Sequence, residues 1–330
     1  MCKFPTKLPP VLASFKLPFT DAFTRTNGAL GSRWSGATWS ISANQAINTP
    51  TLGPELLTDG ALENWNSAAD LASWSENKSG SSTINREGTI VHGGSYSCRL
   101  DVDASNSAVY PGQNTSLPLG AWVQASAWLY ASASGKTAKV YLGSLSGPDL
   151  NPGPAWTQYF HTFKVAAANP AFLLSRQTAA SASLYWDDAS LKALTLAQLF
   201  AALPPSKIDV AAQVVITANP SGCQAGLVIN LDNPANPANF VYAYYSAGLV
   251  KMIKCVAGAY TELVSGSATF GSAKPLKIVK SGTSYSVYYG GVQIGATQTV
   301  NDAGIINNRI HGLFSTHSGI TLDAYSLTSP

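Results

Sequence analysis

Charge is scarce in this chain. Only 11% of its 330 residues are Asp, Glu, Lys or Arg, against roughly 25% in ordinary soluble domains. The 20 basic and 17 acidic residues leave a net +3 and form no runs. No basic stripe exists to follow a phosphate backbone, so nucleic acid is not an expected partner. Apolar residues reach 45%, yet no stretch approaches the roughly 20 residues needed to span a bilayer. The opening segment MCKFPTKLPPVLASFKLPF is interrupted by Pro5, Pro9, Pro10 and Lys16 and does not read as a signal peptide. A protein of this kind working outside a cell is then expected to leave by lysis, as a phage particle does, or to have lost its signal beforehand.

Other absences narrow the chemistry. Cys2, Cys98, Cys223 and Cys255 have no C-x-x-C spacing, which argues against a zinc site. Cys98 alternates with Leu100 and Val102 and reads as a buried strand residue; Cys223 and Cys255 could pair or stay as free buried thiols. There are five glutamates, Glu55, Glu63, Glu76, Glu87 and Glu262. None stands two or four residues from another, so the Glu-x-Asp-x-Glu pattern that supplies a glycosidase acid pair is missing. Asp101 and Asp103 share a strand face and read as a solvated pair. The four histidines are scattered, and neither Gly-x-Ser-x-Gly nor His-Glu-x-x-His occurs. Catalysis is not expected.

Helical periodicity is nearly absent too. It is confined to Leu194–Leu203, stopped by Pro204 and Pro205. What remains is a series of short alternating runs separated by Gly, Asn, Ser and Pro: Ala121–Tyr130, Thr137–Leu142, Ala211–Ile216, Phe240–Tyr245, Leu276–Val279 and Ser284–Tyr289. A spacing of about ten residues is the pattern of a sandwich or jelly roll, and 330 residues suffice for two cores of roughly 130 to 180 residues. The fold class read from this is all-β.

Two sets of blocks add detail. The stretch from Phe19 to Trp34, followed by Ala37 to Ala46, resembles the first hairpin of concanavalin A-like, laminin-G-type sandwiches, which occur in surface and phage proteins. Strand-like blocks that look like the rest of that fold resume only after residue 200, at Ala225-Gly-Leu-Val-Ile-Asn, Asn239-Phe-Val-Tyr-Ala-Tyr-Tyr, Leu276-Lys-Ile-Val, His311-Gly-Leu-Phe-Ser and Thr321-Leu-Asp-Ala-Tyr-Ser-Leu. Between them, Glu55-Leu-Leu-Thr-Asp-Gly-Ala-Leu-Glu-Asn-Trp65 resembles the opening of carbohydrate-binding modules of the family 4/9 type, with Leu62 where that family usually has Phe. Three further blocks match in order: His92-Gly-Gly-Ser-Tyr-Ser-Cys-Arg-Leu100, Leu119-Gly-Ala-Trp-Val-Gln-Ala-Ser-Ala-Trp128 and Leu184-Tyr-Trp-Asp-Asp-Ala-Ser-Leu191. The resemblance implies two β-sandwiches, a galactose-binding-like jelly roll over 53–194 inserted into a discontinuous sandwich of 18–52 plus 195–330, with an arm at 1–17. Insertion is tolerated where a domain's termini are neighbours at the surface.

Candidate site residues follow from alternation. Along Ala121–Tyr130, Val123, Ala125, Ala127 and Leu129 point one way, and Trp122, Gln124, Ser126, Trp128 and Tyr130 the other. The second set mixes flat rings with amides and hydroxyls, as a sugar-binding surface does, because rings stack on pyranose faces while polar groups bond the hydroxyls. The next strand puts Lys139 and Tyr141 on the equivalent face. These aromatics read equally as packing under loops or against the outer sandwich. Trp34, Trp39, Trp156 and Phe163 read as packing. The family resemblance also implies a structural calcium held by Glu63 with Asp187 or Asp188, oxygen ligands suited to a hard cation; the alternative is a set of solvated carboxylates. Three roles stay open: a protein binding a polysaccharide or cell-surface glycan, a structural virion component (tail, fibre or decoration) contacting other virion proteins, and, least favoured, a glycan hydrolase. The expected location is a virion or the extracellular space.

Overall fold

The computed structural model describes residues 15–101, 109–135, 137–176 and 183–330. Cys2, Asp103 and the segment read as not a signal peptide lie wholly or mostly outside them. Within the described residues the chain is almost entirely antiparallel strand. Its helical turns are one 3-10 turn, Leu196–Leu199, and one α-turn, Ala303–Ile306. No helix among them is long and apolar enough to cross a membrane.

The alternating runs form strands as their pattern requires: Trp122–Ala131, Ala138–Leu142, Val210–Ala218, Phe240–Ser246, Pro275–Ser281 and Ser284–Tyr289. Four large sheets result. Two are built from the two ends of the chain. A nine-stranded sheet joins Trp39–Ser42 and Gln45–Asn48 to Thr321–Thr328, Val210–Ala218 and Pro275–Ser281. A six-stranded sheet runs in the order Phe200–Ala202, Ile310–Ser315, Ala225–Leu231, Phe240–Ser246, Leu249–Val256, Ala259–Ser267. Both are called outer here. The two inner sheets draw only on residues 52–194. One has six strands, with Trp122–Ala131 between Thr157–Lys164 and Leu184–Leu194; the other has five, with Ala138–Leu142 beside Ala171–Arg176. Each pair of sheets encloses its own apolar core. The outer one is centred on residues such as Ile41, Leu227, Met252 and Tyr285, the inner one on Val123, Leu129, Phe172 and Trp186.

The opening hairpin is pinned by Asp21, whose carboxylate accepts hydrogen bonds from the Phe23 N–H at 2.9 Å, the Trp34 indole N–H at 2.8 Å and the Arg25 guanidinium at 2.6 Å. Trp39 is buried and Trp34 packs against the outer core, as the hairpin resemblance implies. Cys98, Cys223 and Cys255 are free and buried; Cys223 and Cys255 do not pair.

The helix expected over Leu194–Leu203 is not there. Leu194 ends a strand, a single 3-10 turn follows, and Phe200–Ala202 forms an edge strand paired with Ile310–Ser315. Phe200 and Ala202 contribute to a third apolar cluster, on the far side of the outer six-stranded sheet. Burial against a sheet overrides the weak local preference for a helix.

Buried imidazoles make this fold sensitive to acid. His311 is fully buried: Nδ1 accepts the Asn230 N–H at 3.2 Å and Nε2 donates to the Lys207 carbonyl at 2.9 Å. Burial pushes His311 and His161 down to about 4, and His317 also down. A base held neutral in the folded state contributes stability that is complete above its unfolded pKa of about 6.5 and is lost as pH falls toward 4. Asp187, raised to about 6 by burial, opposes the effect with one proton of the other sign. Thermal melting from pH 7 to 5 should therefore show falling stability and a net uptake of about one or more protons on unfolding. A flat profile would mean that the imidazoles are solvated.

Candidate functional site

The strand Trp122–Ala131 carries its alternate side chains to very different surroundings. Its two neighbours set the rungs. Trp122 lies opposite Lys164 and Leu194, Gln124 opposite Thr162 and Lys192, Trp128 opposite Gln158 and Asp187, and Tyr130 opposite Tyr185. The Trp122 end points at the outer sandwich. Its ring packs edge-on against Tyr242, Tyr260 and Phe314, its N–H reaches the Tyr260 hydroxyl at 3.2 Å, and only 4% of it is exposed. Beside it, Thr162 bonds Thr316 of the outer chain segment at 2.9 Å and Phe160 packs on His317. Trp122 is thus a junction residue and not part of an open sugar-binding face. The covering layer needs a large ring there to fill the third apolar cluster. Gln124 lies along the strand between this junction and the free end.

The free end is aromatic and open. A β-bulge falls between Ser126 and Trp128 in the pairing with Leu184–Leu194. Across from it Asp188 takes a left-handed conformation, φ 43°, which aspartate tolerates better than most residues. Bulges of this kind re-aim side chains. Asp187 is turned inward and fully buried, accepting the N–H groups of His92 at 2.8 Å, Gly93 at 3.2 Å and Asp188 at 2.8 Å. Burial nevertheless holds its carboxyl up at about 6. Asp188 instead reaches out to His92 Nδ1 at 2.6 Å. Held in this way, the His92 ring lies flat on Trp128, with centroids 3.7 Å apart and planes 17° apart. Trp156 stands edge-on to His92, Tyr130 packs against Trp156, and Tyr185 packs against Tyr130. Arg99, opposite Tyr185 on the next strand, is fixed by Asp101 and Glu87, both at 2.9 Å. The result is a row of rings, half-buried except for the buried Tyr185, bordered by a charged, hydrogen-bonding network.

Sequence reasoning singles out Trp128 and Tyr130 but not four of the residues that surround them. Trp156 was read as packing, His92 as one of four scattered histidines, and Tyr185 and Arg99 were not singled out. The Asp187–Asp188 pair was a usable signal, because two successive acids on a strand cannot both face solvent or both face the core. Tyr141 does not share the face of Trp128, contrary to the expectation from alternation. Its strand belongs to the inner five-stranded sheet, whose core face of Ala138, Val140 and Leu142 packs against Val123 and Leu129. Tyr141 therefore projects on the opposite side of the sandwich from Trp128. Consecutive strands of a sandwich can change sheets, and alternation alone does not record the change.

Glu63, Asp187 and Asp188 do converge, all three on the loop 92–96. Glu63 accepts the Ser95 and Tyr96 N–H groups at 2.9 and 3.1 Å. Gly93 and Gly94 are needed there: a Cβ on Gly93 would stand 2.6 Å from Asp188 Oδ2, and one on Gly94, whose φ is +65°, would collide with the Glu63 carboxylate. The oxygens have the right hardness for calcium, but their arrangement does not fit it. Glu63 and Asp187 both spend carboxylate oxygens on backbone N–H donors, and no three acidic, His or Cys side chains gather round one point among the described residues. The three carboxylates act as a clasp on the loop that presents His92.

No protein-family model matches the chain, and no curated protein matches it. Among solved structures it is similar to the carbohydrate binding module CBM66 from Bacillus subtilis, at 17% identity over 39% of this chain and 79% of that one, TM-score 0.33. It is also similar to the tandem CBM22-1-CBM22-2 domain of Xyn10C from Paenibacillus barcinonensis, at 9% identity over 86% and 98%, TM-score 0.34. A third likeness is to the enzymatically active domain of tailspike protein 4 of bacteriophage CBA120, at 14% identity over 42% of this chain and 21% of that one, TM-score 0.35. At these scores the likenesses carry no statement about ligand or role.

The two tryptophans of one strand should separate experimentally. Trp122→Ala should lower stability to chemical denaturation by about 3–5 kcal/mol, the usual cost of emptying a buried indole site, and Trp128→Ala by clearly less. Equal losses would contradict the junction role of Trp122.

Proposed function

We propose that this chain is a non-catalytic carbohydrate-binding protein whose ligand lies on the free end of the inner six-stranded sheet, around Trp128, Trp156, Tyr130 and His92. The observation that carries this reading is the ring row itself. Its rings are held by stacking and by the Asp188–His92 contact, so little side-chain entropy is lost when a ligand settles on them. Arg99, Glu87 and Asp101 stand beside the rings to bond hydroxyls. Rigid aromatics next to polar groups match a pyranose, which is apolar on its faces and polar at its rim.

The five glutamates support a binding role over a hydrolytic one, since each has a structural partner. Glu55 accepts the Leu191 N–H and the Ser190 hydroxyl, Glu63 holds loop 92–96, Glu76 pairs with Lys78, Glu87 with Arg99 and Glu262 with Lys251. We read residues 53–194 as an inserted binding module and the outer sandwich as its concanavalin A-like support, placed on a virion or outside a cell and contacting a polysaccharide or cell-surface glycan. A purely structural virion role is the second reading. It is favoured by the outer edge strand Val292–Thr299, which is largely exposed, with Val292 among the chain's most exposed apolar residues. An open edge of that kind is a template for pairing with another protein.

A glycan array, followed by affinity electrophoresis on the best hit, tests the proposal. Wild type should bind, and Trp128→Ala and Trp156→Ala should each weaken binding about tenfold or more, equivalent to about 1.4 kcal/mol. Absence of any glycan hit, or variants that bind as wild type does, would leave the structural reading in its place.

A further inference from the structure

Where the inner sandwich meets the outer six-stranded sheet, the two surfaces diverge and leave a cleft of about 900 Å³. Its walls belong to both parts. The inner side supplies Lys139, the loop 145–149 and the edge strand Thr157–Lys164; the outer side supplies Tyr242, Tyr244, Lys251, Tyr260, Glu262 and Gln224. Trp122, wedged against Tyr260, closes one end. A concave site of this size between domains is where ligands are usually found.

Three features describe what would fill it. The first is an orphan acceptor: Gln224 is 8% exposed and its side-chain oxygen has no hydrogen-bond partner, although it borders the cleft. A buried acceptor left unmade is costly, and a hydroxyl from a ligand would satisfy it. The second is a stacked pair of tyrosines, Tyr242 and Tyr244, whose centroids are 5.6 Å apart. Both are almost wholly buried, at 3% and 9% exposure. Both residues border the cleft, and a phenol group can bond a ligand's hydroxyl as donor or acceptor.

The third feature is charge. Three ammonium groups line the cleft, Lys139, Lys164 and Lys251, against two carboxylates, Asp149 and Glu262. Lys139 pairs with Asp149 at 3.1 Å and Lys251 with Glu262 at 2.7 Å. Lys164 has no carboxylate partner among the described residues and lies over the Tyr260 ring, 3.9 Å from its centroid.

We infer that the cleft is a composite binding site for an acidic oligosaccharide, with the ligand's hydroxyls on Gln224 and the tyrosines and a carboxylate on Lys164. The inference extends the carbohydrate reading above but uses none of its residues. Neither sandwich holds the site alone.

Calorimetric titration with tetragalacturonate, and with cellotetraose as a neutral ligand of equal length, tests it. Wild type should bind tetragalacturonate, more weakly as NaCl is raised, and should prefer it to cellotetraose. Lys164→Gln and Gln224→Leu should each reduce its affinity about tenfold or more, Lys164→Arg should retain most of it, and Trp128→Ala should leave it unchanged. Thermal melts establish that each variant is folded. The cleft site is overturned by wild type failing to bind tetragalacturonate at millimolar concentration, or by binding that persists in both cleft variants. Binding lost in Trp128→Ala and kept in Lys164→Gln would place the acidic glycan on the aromatic row, sinking the cleft site while keeping the proposed function. Failure of every glycan on the array would sink both.

Discussion

The strands Ala225–Leu231 and Phe240–Ser246 are buried at every residue, and this constrains the rest of the molecule. An antiparallel sheet in a sandwich ordinarily buries one face and leaves the other to water. Here the second face carries Phe240, Tyr242, Tyr244 and Phe314, too much apolar area to leave exposed. It needs a third layer. Phe200 and Ala202 cover part of it from the returning chain, and the inner sandwich covers more through Trp122 and Leu194. The inner sandwich is seated where it covers that face, and the cleft lies at the margin of the contact.

The same constraint explains why one strand has two kinds of tryptophan. Trp122 and Trp128 point to the same side of Trp122–Ala131 and are six residues apart. One end of that side is pressed on the outer sheet and the other overhangs into solvent. Equal alternation thus yields a packing residue and a surface residue. The bulge opposite Trp128 then adds what regular pairing cannot: one acid turned in to hold a loop and its neighbour turned out to hold His92.

The all-β class and most strands were legible in the sequence because period-two alternation is a local property, carried for instance by Val123, Ala125, Ala127 and Leu129. The core assignment of Cys98 rests on the same signal, those of Trp39 and Phe163 on the family resemblance, and all three residues are buried. What alternation does not encode is which sheet a strand joins, and Tyr141 lies on the other side of the sandwich for that reason. Nor does it show a strand covered on both faces. The continuous apolar run Phe240-Val-Tyr-Ala-Tyr-Tyr245 was such a sign, read only as one more alternating strand. The helical spacing at Leu194–Leu203 failed for the opposite reason, since five large apolar side chains within ten residues suit any buried element. Trp156 and His92 come to the site from loops, whose positions no periodicity reports.

The two connections between inner and outer segments are joined where they cross. Leu52–Glu55 pairs with Leu184–Leu194, so the inner sandwich begins and ends on neighbouring strands. Just beyond that pair, Gln198 bonds across the gap: its side-chain oxygen accepts the Thr51 N–H at 2.8 Å, and its carbonyl accepts from Asn48 at 2.9 Å and from the Trp39 indole at 3.2 Å. A pull on the inner sandwich therefore divides between two tethers anchored at one point in the outer core, where a single flexible linker would have let it swing. In mechanical terms the two crossings act as one double hinge-plate, bonded side by side to the outer core through Gln198.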